Sequence, residues 1–358
     1  MSVILHNLSN QTKNIVYTVL LIALVFVVWK FRQSSYNGQA ATDSSHKVTI
    51  SGETMGTTYN IIYFGEEIRG LKTSIDSLLE TFNNSLNTYL PHSEISKFNK
   101  GRSLVFGLPY FGPVLEKSRE VFISTDGKFD PTVMPLVNLW GFGPEEEGGT
   151  DSLTIAEMLE TVGFEKISFN KDSIWKTGPN TTLDFSAIAK GYGVDVVSGF
   201  LLMRGLDDHF VEIGGEVRCS GVNRDNQGRP WNVAILDPTA SLGELKLFAT
   251  IKLKDQAIAT SGNYFNYRVI NGERYAHTID PSTGYPVRHE MLSASVIAPD
   301  CMTADAYATA FMVMGSKKAI ELVEKTPRLE ALFIFLDGED TTWHMTEHIK
   351  EQVELINN

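Results

Sequence analysis

Cysteine is scarce in this 358-residue chain, where Cys219 and Cys301 are the two present. They stand far apart in apolar, strand-like contexts, which excludes a thiolate-rich metal cluster and a scaffold stapled by many disulfides. Each reads as a core residue, and a single bridge between them is left open by the sequence. Positive charge is also short: 31 Lys and Arg face 43 Asp and Glu, a formal net charge of −12. A polyanion would be repelled overall, so nucleic acid is not an expected partner. No internal repeat or low-complexity tract is visible.

A long uncharged apolar run occurs at Ile15–Trp29, between Lys13 and the pair Lys30 and Arg32. At about 1.5 Å per helical residue it spans somewhat over 20 Å, short of a ~30 Å hydrocarbon core unless the flanks snorkel. It is either a short membrane anchor or a signal-peptide core with Gly38-Gln39-Ala40 as the cleavage region. Lys30 and Arg32 lie awkwardly for cleavage, so an uncleaved anchor is the expectation. A polar linker, Gln33–Ser45, follows. Residues 1–46 are thus expected to be anchor and linker, and 47–358 one folded domain.

From Lys47 onward the chain reads as globular. Over the whole sequence hydrophobic residues make up 42% and charged residues 21%, which excludes wholesale disorder. Residues 47–64 alternate around Met55-Gly56-Thr57, predicting two short strands or one strand bulged at the glycine. Ile68, Leu71, Ile75, Leu78, Leu79 and Phe82 recur at helical spacing and predict a helix over 67–84. A second helix is predicted at 111–125, with Pro113 in its first turn and Asp126-Gly127 closing it. Others are expected at 154–162, 187–204, 304–314 and 316–324. Strands are predicted at 173–176, 209–216, 231–236, 245–253, 268–270, 292–298 and 331–336. Runs of strands broken by isolated helices predict an α+β fold, with mixed or antiparallel sheets packed against helices.

Three segments carry chemistry. Tyr275–Pro286 sets the imidazole of His277 beside a loop punctuated by Pro and Gly. An unperturbed pKa of about 6.5 suits His277 to proton exchange, although a lone loop His is also a common structural residue. Asp305 and Thr309 stand four apart in an Ala-rich run and point the same way from a helix. Two hard oxygen donors on one face suit Mg²⁺, and such a pair equally decorates a solvated surface. The third segment runs Asp184-Phe185-Ser186-Ala187-Ile188-Ala189-Lys190-Gly191-Tyr192-Gly193. Lys190 could meet a phosphate or be a solvated helix lysine, and Asp184 could cap the helix that follows.

Five further blocks stand in order with these: Met55-Gly56-Thr57, Asn87-Thr88-Tyr89, Gly127–Thr132, Glu212–Glu216 and Ala259–Tyr264. Together they resemble the ApbE family, the FAD:protein FMN transferases, over roughly Val48–Glu324. The resemblance implies an ApbE-like, T-fold-like arrangement with FAD in a central cleft. It implies Mg²⁺-dependent transfer of FMN from FAD to a Ser or Thr hydroxyl of a target protein, with AMP released. By the same resemblance His277 is the catalytic base, and Asp305, Thr309 and the backbone carbonyl of Ala187 hold Mg²⁺. Met55, Tyr89, Lys128, Phe129, Asp130, Asp184, Lys190 and Ile279 would contact FAD. For Met55 and Tyr89 core packing is the alternative, and Gly214-Gly215 would allow close backbone approach or form a bulge. FAD phosphates would meet an acidic background, offset locally by metal, Lys190 and backbone amides.

Two other functions share these residues: an FAD pyrophosphatase giving FMN and AMP, and a non-catalytic FAD-binding or delivery protein. The joint presence of His277, Asp305 and Thr309 argues against storage, which needs no base. Met134 stands where relatives commonly carry glycine and is expected to narrow the cleft or repack its wall. Many family members are lipoproteins, but no Cys lies near this N-terminus, so tethering falls to Ile15–Trp29. The positive-inside tendency alone would hold the domain in the cytoplasm. The resemblance implies the opposite face, and the expectation follows it: the inner membrane, with the catalytic domain periplasmic. The flavin acceptor would be a subunit of a membrane redox complex.

Overall fold

Alternating exposed and buried residues make β1 (Lys47–Thr54) and β2 (Thr57–Phe64) an antiparallel pair, with Thr54 opposite Thr57. The connection is therefore the two-residue turn Met55-Gly56, with φ of 50° and 73°. Positive φ at both positions is what a type I′ hairpin requires, and it is strained for Met. The same device recurs between β6 (His209–Ile213) and β7 (Glu216–Ser220), where Gly214 and Gly215 turn at φ 60° and 101°. The single strand predicted over 209–216 is thus a reversal, and the glycine pair makes a turn instead of a bulge.

This computed structural model describes residues 46–144, 151–178, 180–240, 245–263, 267–270, 273–338 and 340–356. The expected anchor and Tyr264 lie outside the described residues. Among those described, no helix is long and apolar enough to cross a membrane. Eight α-helices are described: α1 Leu71–Leu86, α2 Glu94–Lys100, α3 Phe111–Ser124, α4 Met134–Leu139, α5 Ser152–Leu159, α6 Ala189–Leu202, α7 Cys301–Met314 and α8 Ser316–Val323.

The main sheet has eight strands in the order β1-β2-β6-β7-β10-β13-β14-β15, where β10 is Gln256–Gly262, β13 Met291–Ala298, β14 Glu330–Asp337 and β15 Asp340–Met345. Every pairing in it is antiparallel. β13 is buried along nearly its whole length because both faces are covered. On one face α7 lies against β10 and β13, packing Ala304, Ala308 and Phe311 with Ala259, Ala294 and Val296. On the other, a three-stranded sheet of β8 (Trp231–Leu236), β9 (Leu247–Leu253) and β16 (Val353–Leu355) packs Trp231, Val233 and Ile251 with Val217, Cys219, Ile258 and Ile297.

Cys219 belongs to that second cluster, whereas Cys301 packs in the helix layer with Val194, Val197 and Ala257. Both thiols are buried and free, which closes the question of a bridge. A smaller sheet of β3 (Ser103–Val105), β5 (Ser173–Lys176) and β4 (Ile167–Phe169), and a hairpin of β11 (Tyr267–Ile270) and β12 (Glu273–Ala276), complete the fold.

Candidate active site

Sheet alternation decides what faces the helices. Glu216 and Arg218, two apart on β7, both reach α6: Glu216 pairs with Lys190 and Arg218 with Asp195. Asp195 also accepts the N–H of Cys301 at 2.9 Å and of Met302 at 2.8 Å, while Asp300 accepts that of Thr303 at 2.8 Å. These bonds satisfy the first turn of α7 and fix its rotation. Asp305, one turn further on, is thereby aimed into a cleft.

Gly191 lets α6 approach α7 closely. A Cβ there would sit 2.2 Å from the Cys301 carbonyl oxygen and 2.7 Å from Asp305 Cβ. Its N–H instead donates to Asp305 Oδ2 at 2.9 Å. Gly191→Ala is expected to force the helices apart, lowering stability in urea unfolding by about 1–3 kcal/mol.

The cleft encloses about 680 Å³ and is lined by Tyr89, Lys128, Phe129, Asp130, Asp184, Ala187, Lys190, His277, Ile279, Asp305 and Thr309. A second lobe of about 530 Å³ shares Tyr89, Ser186 and Lys190 with it and brings in Met55. All twelve residues singled out from the sequence thus border one two-lobed depression. Tyr89, 63% exposed, stands at the junction. Met134 does not line either lobe; it is buried beneath the wall, its Sδ 3.4 Å from Asn99 Nδ2.

His277 follows β12 directly, its ring edge-on to Phe142 with centroids 6.4 Å apart. The loop beyond it is anchored several ways. Thr278 Oγ1 donates to Asn263 Oδ1 at 2.9 Å, Ile279 bridges to Pro286, and Trp140 Nε1 donates to the Gly284 carbonyl at 2.8 Å. Ile279 packs in a small cluster with Leu136, Leu139, Trp140, Ile155 and Val162. Lys128 Nζ meets Asp280 at 2.8 Å and Ser282 Oγ at 2.7 Å. Burial alone would raise the Asp280 pKa, but the hydrogen bonds from Lys128 and Ser282 hold it below the usual carboxylate range.

Asp130 faces inward to the wall: Oδ1 accepts from the Thr132 N–H and hydroxyl, and Oδ2 from the Phe164 N–H. Burial pushes its pKa up to about 6, with those bonds opposing. Because the folded value exceeds the unfolded one, Asp130 contributes stability that is complete below about pH 4 and is lost as pH rises through about 6. A shift of that size is worth on the order of 3 kcal/mol. Urea unfolding from pH 4 to 7 should show that fall in the native protein and a flatter dependence in Asp130→Asn.

Asp184 does not cap α6. Its Oδ1 accepts the Ser186 N–H at 2.8 Å and hydroxyl at 2.5 Å, while α6 starts later, after Ile188 and without a side-chain cap. The surrounding wall raises the Asp184 pKa through burial. Ala187 accordingly lies in the turn before the helix, where a carbonyl can face the cleft.

Glu216 is the residue whose role the sequence did not reveal; only its place after Gly214-Gly215 could have signalled it. Burial, then the Asp305 charge, pushes its pKa up to about 8, with Lys190 opposing. Asp305 is raised by burial, with Lys190 and the Gly191 N–H opposing. Lys190 is raised, because the pull of Glu216 and Asp305 exceeds the effect of its burial. Two acids and one base thus share a buried corner with one surplus anion when all are ionised. Glu216 Oε2 has no hydrogen-bond partner among the described residues. Thr309 Oγ1 lies beside Ser261 Oγ at 3.1 Å. Hard oxygen donors in a corner where two carboxyls meet one lysine fit a small divalent cation, which would favour their ionised forms and would keep several waters or substrate oxygens. Among the described residues, no three His, Cys, Asp or Glu side chains cluster as a metal site, so carbonyl and hydroxyl donors would have to contribute.

A two-lobed cleft brings an imidazole at one wall together with this charged corner at another, an arrangement suited to an enzyme's active site. The ApbE family model matches residues 55–333, and the chain belongs to that family. A Vibrio cholerae serotype O1 protein named FAD:protein FMN transferase is 41% identical over 292 residues, covering 78% of this chain and 85% of the relative. A Haemophilus influenzae protein of the same name is 39% identical over 305 residues, covering 81% and 87%. The solved flavin transferase ApbE from Vibrio cholerae superposes with a TM-score of 0.77 at 36% identity, covering 86% of this chain and 99% of that one.

Proposed function

We propose that this enzyme transfers FMN from FAD to a Ser or Thr hydroxyl of a partner protein and releases AMP in an Mg²⁺-dependent reaction. The observation that carries the reading is the meeting in one cleft of His277, from the loop after β12, with Ala187, Asp305 and Thr309 from the α6–α7 corner. His277 takes the proton of the acceptor hydroxyl as its oxygen attacks the FMN phosphorus; the bond to the AMP phosphate breaks and AMP leaves. Asp305, the Thr309 hydroxyl and the Ala187 carbonyl would hold Mg²⁺, and the metal would supply charge neutralisation for phosphoryl transfer. Lys190 adds a positive charge beside these donors, and the lobe walls at Met55 and Tyr89 suit planar heterocycles.

By the same reading, Ile15–Trp29 tethers the domain to the inner membrane on its periplasmic side, facing an acceptor in a membrane redox complex. Protease accessibility in spheroplasts tests that placement. The activity is tested by incubating the protein with FAD, Mg²⁺ and candidate acceptor domains, followed by mass spectrometry. FMN on Ser or Thr with equivalent AMP is expected. Free FMN with AMP would make the enzyme a pyrophosphatase, and intact bound FAD a carrier.

A further inference from the structure

Lys190 needs only one oxygen of Glu216. Its Nζ meets Oε1, at the start of β7, and the pair closes the floor of the cleft between the sheet and α6. The other oxygen, Oε2, is left over. Glu216 is 3% exposed, it lines the cleft alongside Asp305, and Oε2 has no hydrogen-bond partner among the described residues. Leaving a buried carboxylate oxygen unpaired is costly, because the desolvation of that oxygen is not repaid. A salt bridge alone does not account for this: Asp195, in the companion pair one register along, uses both of its oxygens.

We propose that Glu216 is a positioning residue of the cation site, Oε1 fixing Lys190 and Oε2 accepting a hydrogen bond from a water carried by the bound Mg²⁺. The inference rests on the metal reading above and extends it by one residue. Partners of this kind orient what the metal carries without touching the metal, and losing one commonly costs 10–100-fold in metal affinity. The backbone enforces the arrangement. The Gly214-Gly215 turn sets Glu216 at the first position of β7, and a Cβ at Gly214 would come within 2.8 Å of Thr57 Cγ2 and 3.4 Å of Lys190 Cδ.

The test is Mn²⁺ binding to the full chain, followed by electron paramagnetic resonance, in the native protein, Asp305→Ala and Glu216→Gln. Expected are binding by the native protein, none by Asp305→Ala, and at least about tenfold weaker binding by Glu216→Gln, with a native far-ultraviolet circular dichroism spectrum at the assay temperature. Rescue of less than the native affinity is expected from Glu216→Asp, which keeps the charge but withdraws the oxygen. Native-like affinity in Glu216→Gln would overturn the proposal while leaving the metal reading intact; no binding by the native protein would overturn both. A further measurement needs no variant. In protein labelled with ¹³C-carboxyl glutamate, the infrared difference between Mg²⁺-bound and metal-free states should contain a glutamate carboxylate band, and its absence would also overturn the proposal.

Discussion

Replacing His277 with Ala is expected to lower FMN transfer by about 10²–10⁴-fold, the usual worth of a positioned general base. FAD should stay bound with a dissociation constant within about tenfold of native, a difference of no more than about 1.4 kcal/mol. The separation follows from where the imidazole sits. It projects from the loop after β12 and borders the cleft beside Phe142, while the candidate contacts other than Ile279 come from other elements. Equilibrium titration of FAD alongside single-turnover transfer distinguishes the two effects. Loss of FAD binding with the loss of transfer would make His277 a substrate ligand and leave the proton acceptor unassigned.

Asp305→Asn should have a large effect on activity and a small one on the fold. Without its charge the cation loses its anionic protein ligand, and the several kcal/mol that a metal provides at a phosphoryl centre corresponds to a fall of about 10³-fold or more. The metal-free protein should hold its thermal midpoint or gain slightly, because burial already disfavours the ionised form of Asp305. The Gly191 N–H can still donate to the amide oxygen. The midpoint increase that Mg²⁺ gives the native protein should vanish, since a ligand stabilises only the state that binds it. Differential scanning calorimetry with and without Mg²⁺ checks both halves. A retained Mg²⁺ response would move the metal elsewhere.

What the sequence made legible was the list of chemical side chains, and what it hid was how they are held. Asp305 and Thr309 could be paired because helical spacing is local. The link between Lys190 and Glu216 could not, because it spans a strand, a helix and a turn. The carboxylate of Asp130 looks the same in sequence as that of Asp305, yet its oxygens close the wall onto Thr132 and Phe164. α2 and α4 escaped prediction because one or two turns give too few residues for periodicity to register. The run 209–216 read as one strand because Gly-Gly at its centre fits a bulge and a reversal equally well until the partner strand is known. The α+β class, by contrast, followed from runs of strands broken by isolated helices, with mixed and antiparallel sheets both allowed; the main sheet is antiparallel throughout.

The proposed proton acceptor and the proposed cation donors rest on different foundations. The His277 loop is seated on the small apolar group of Leu136, Leu139, Trp140, Ile155, Val162 and Ile279, whereas α7 is buried against the main sheet. A satellite cluster of that size opens at lower free energy than a central core. Mild warming or low urea should therefore uncouple the two halves of the chemistry, producing a population that still captures the cation and has lost its base. Inactivation would then precede unfolding, and would reverse on cooling without any need to rebuild the sheet.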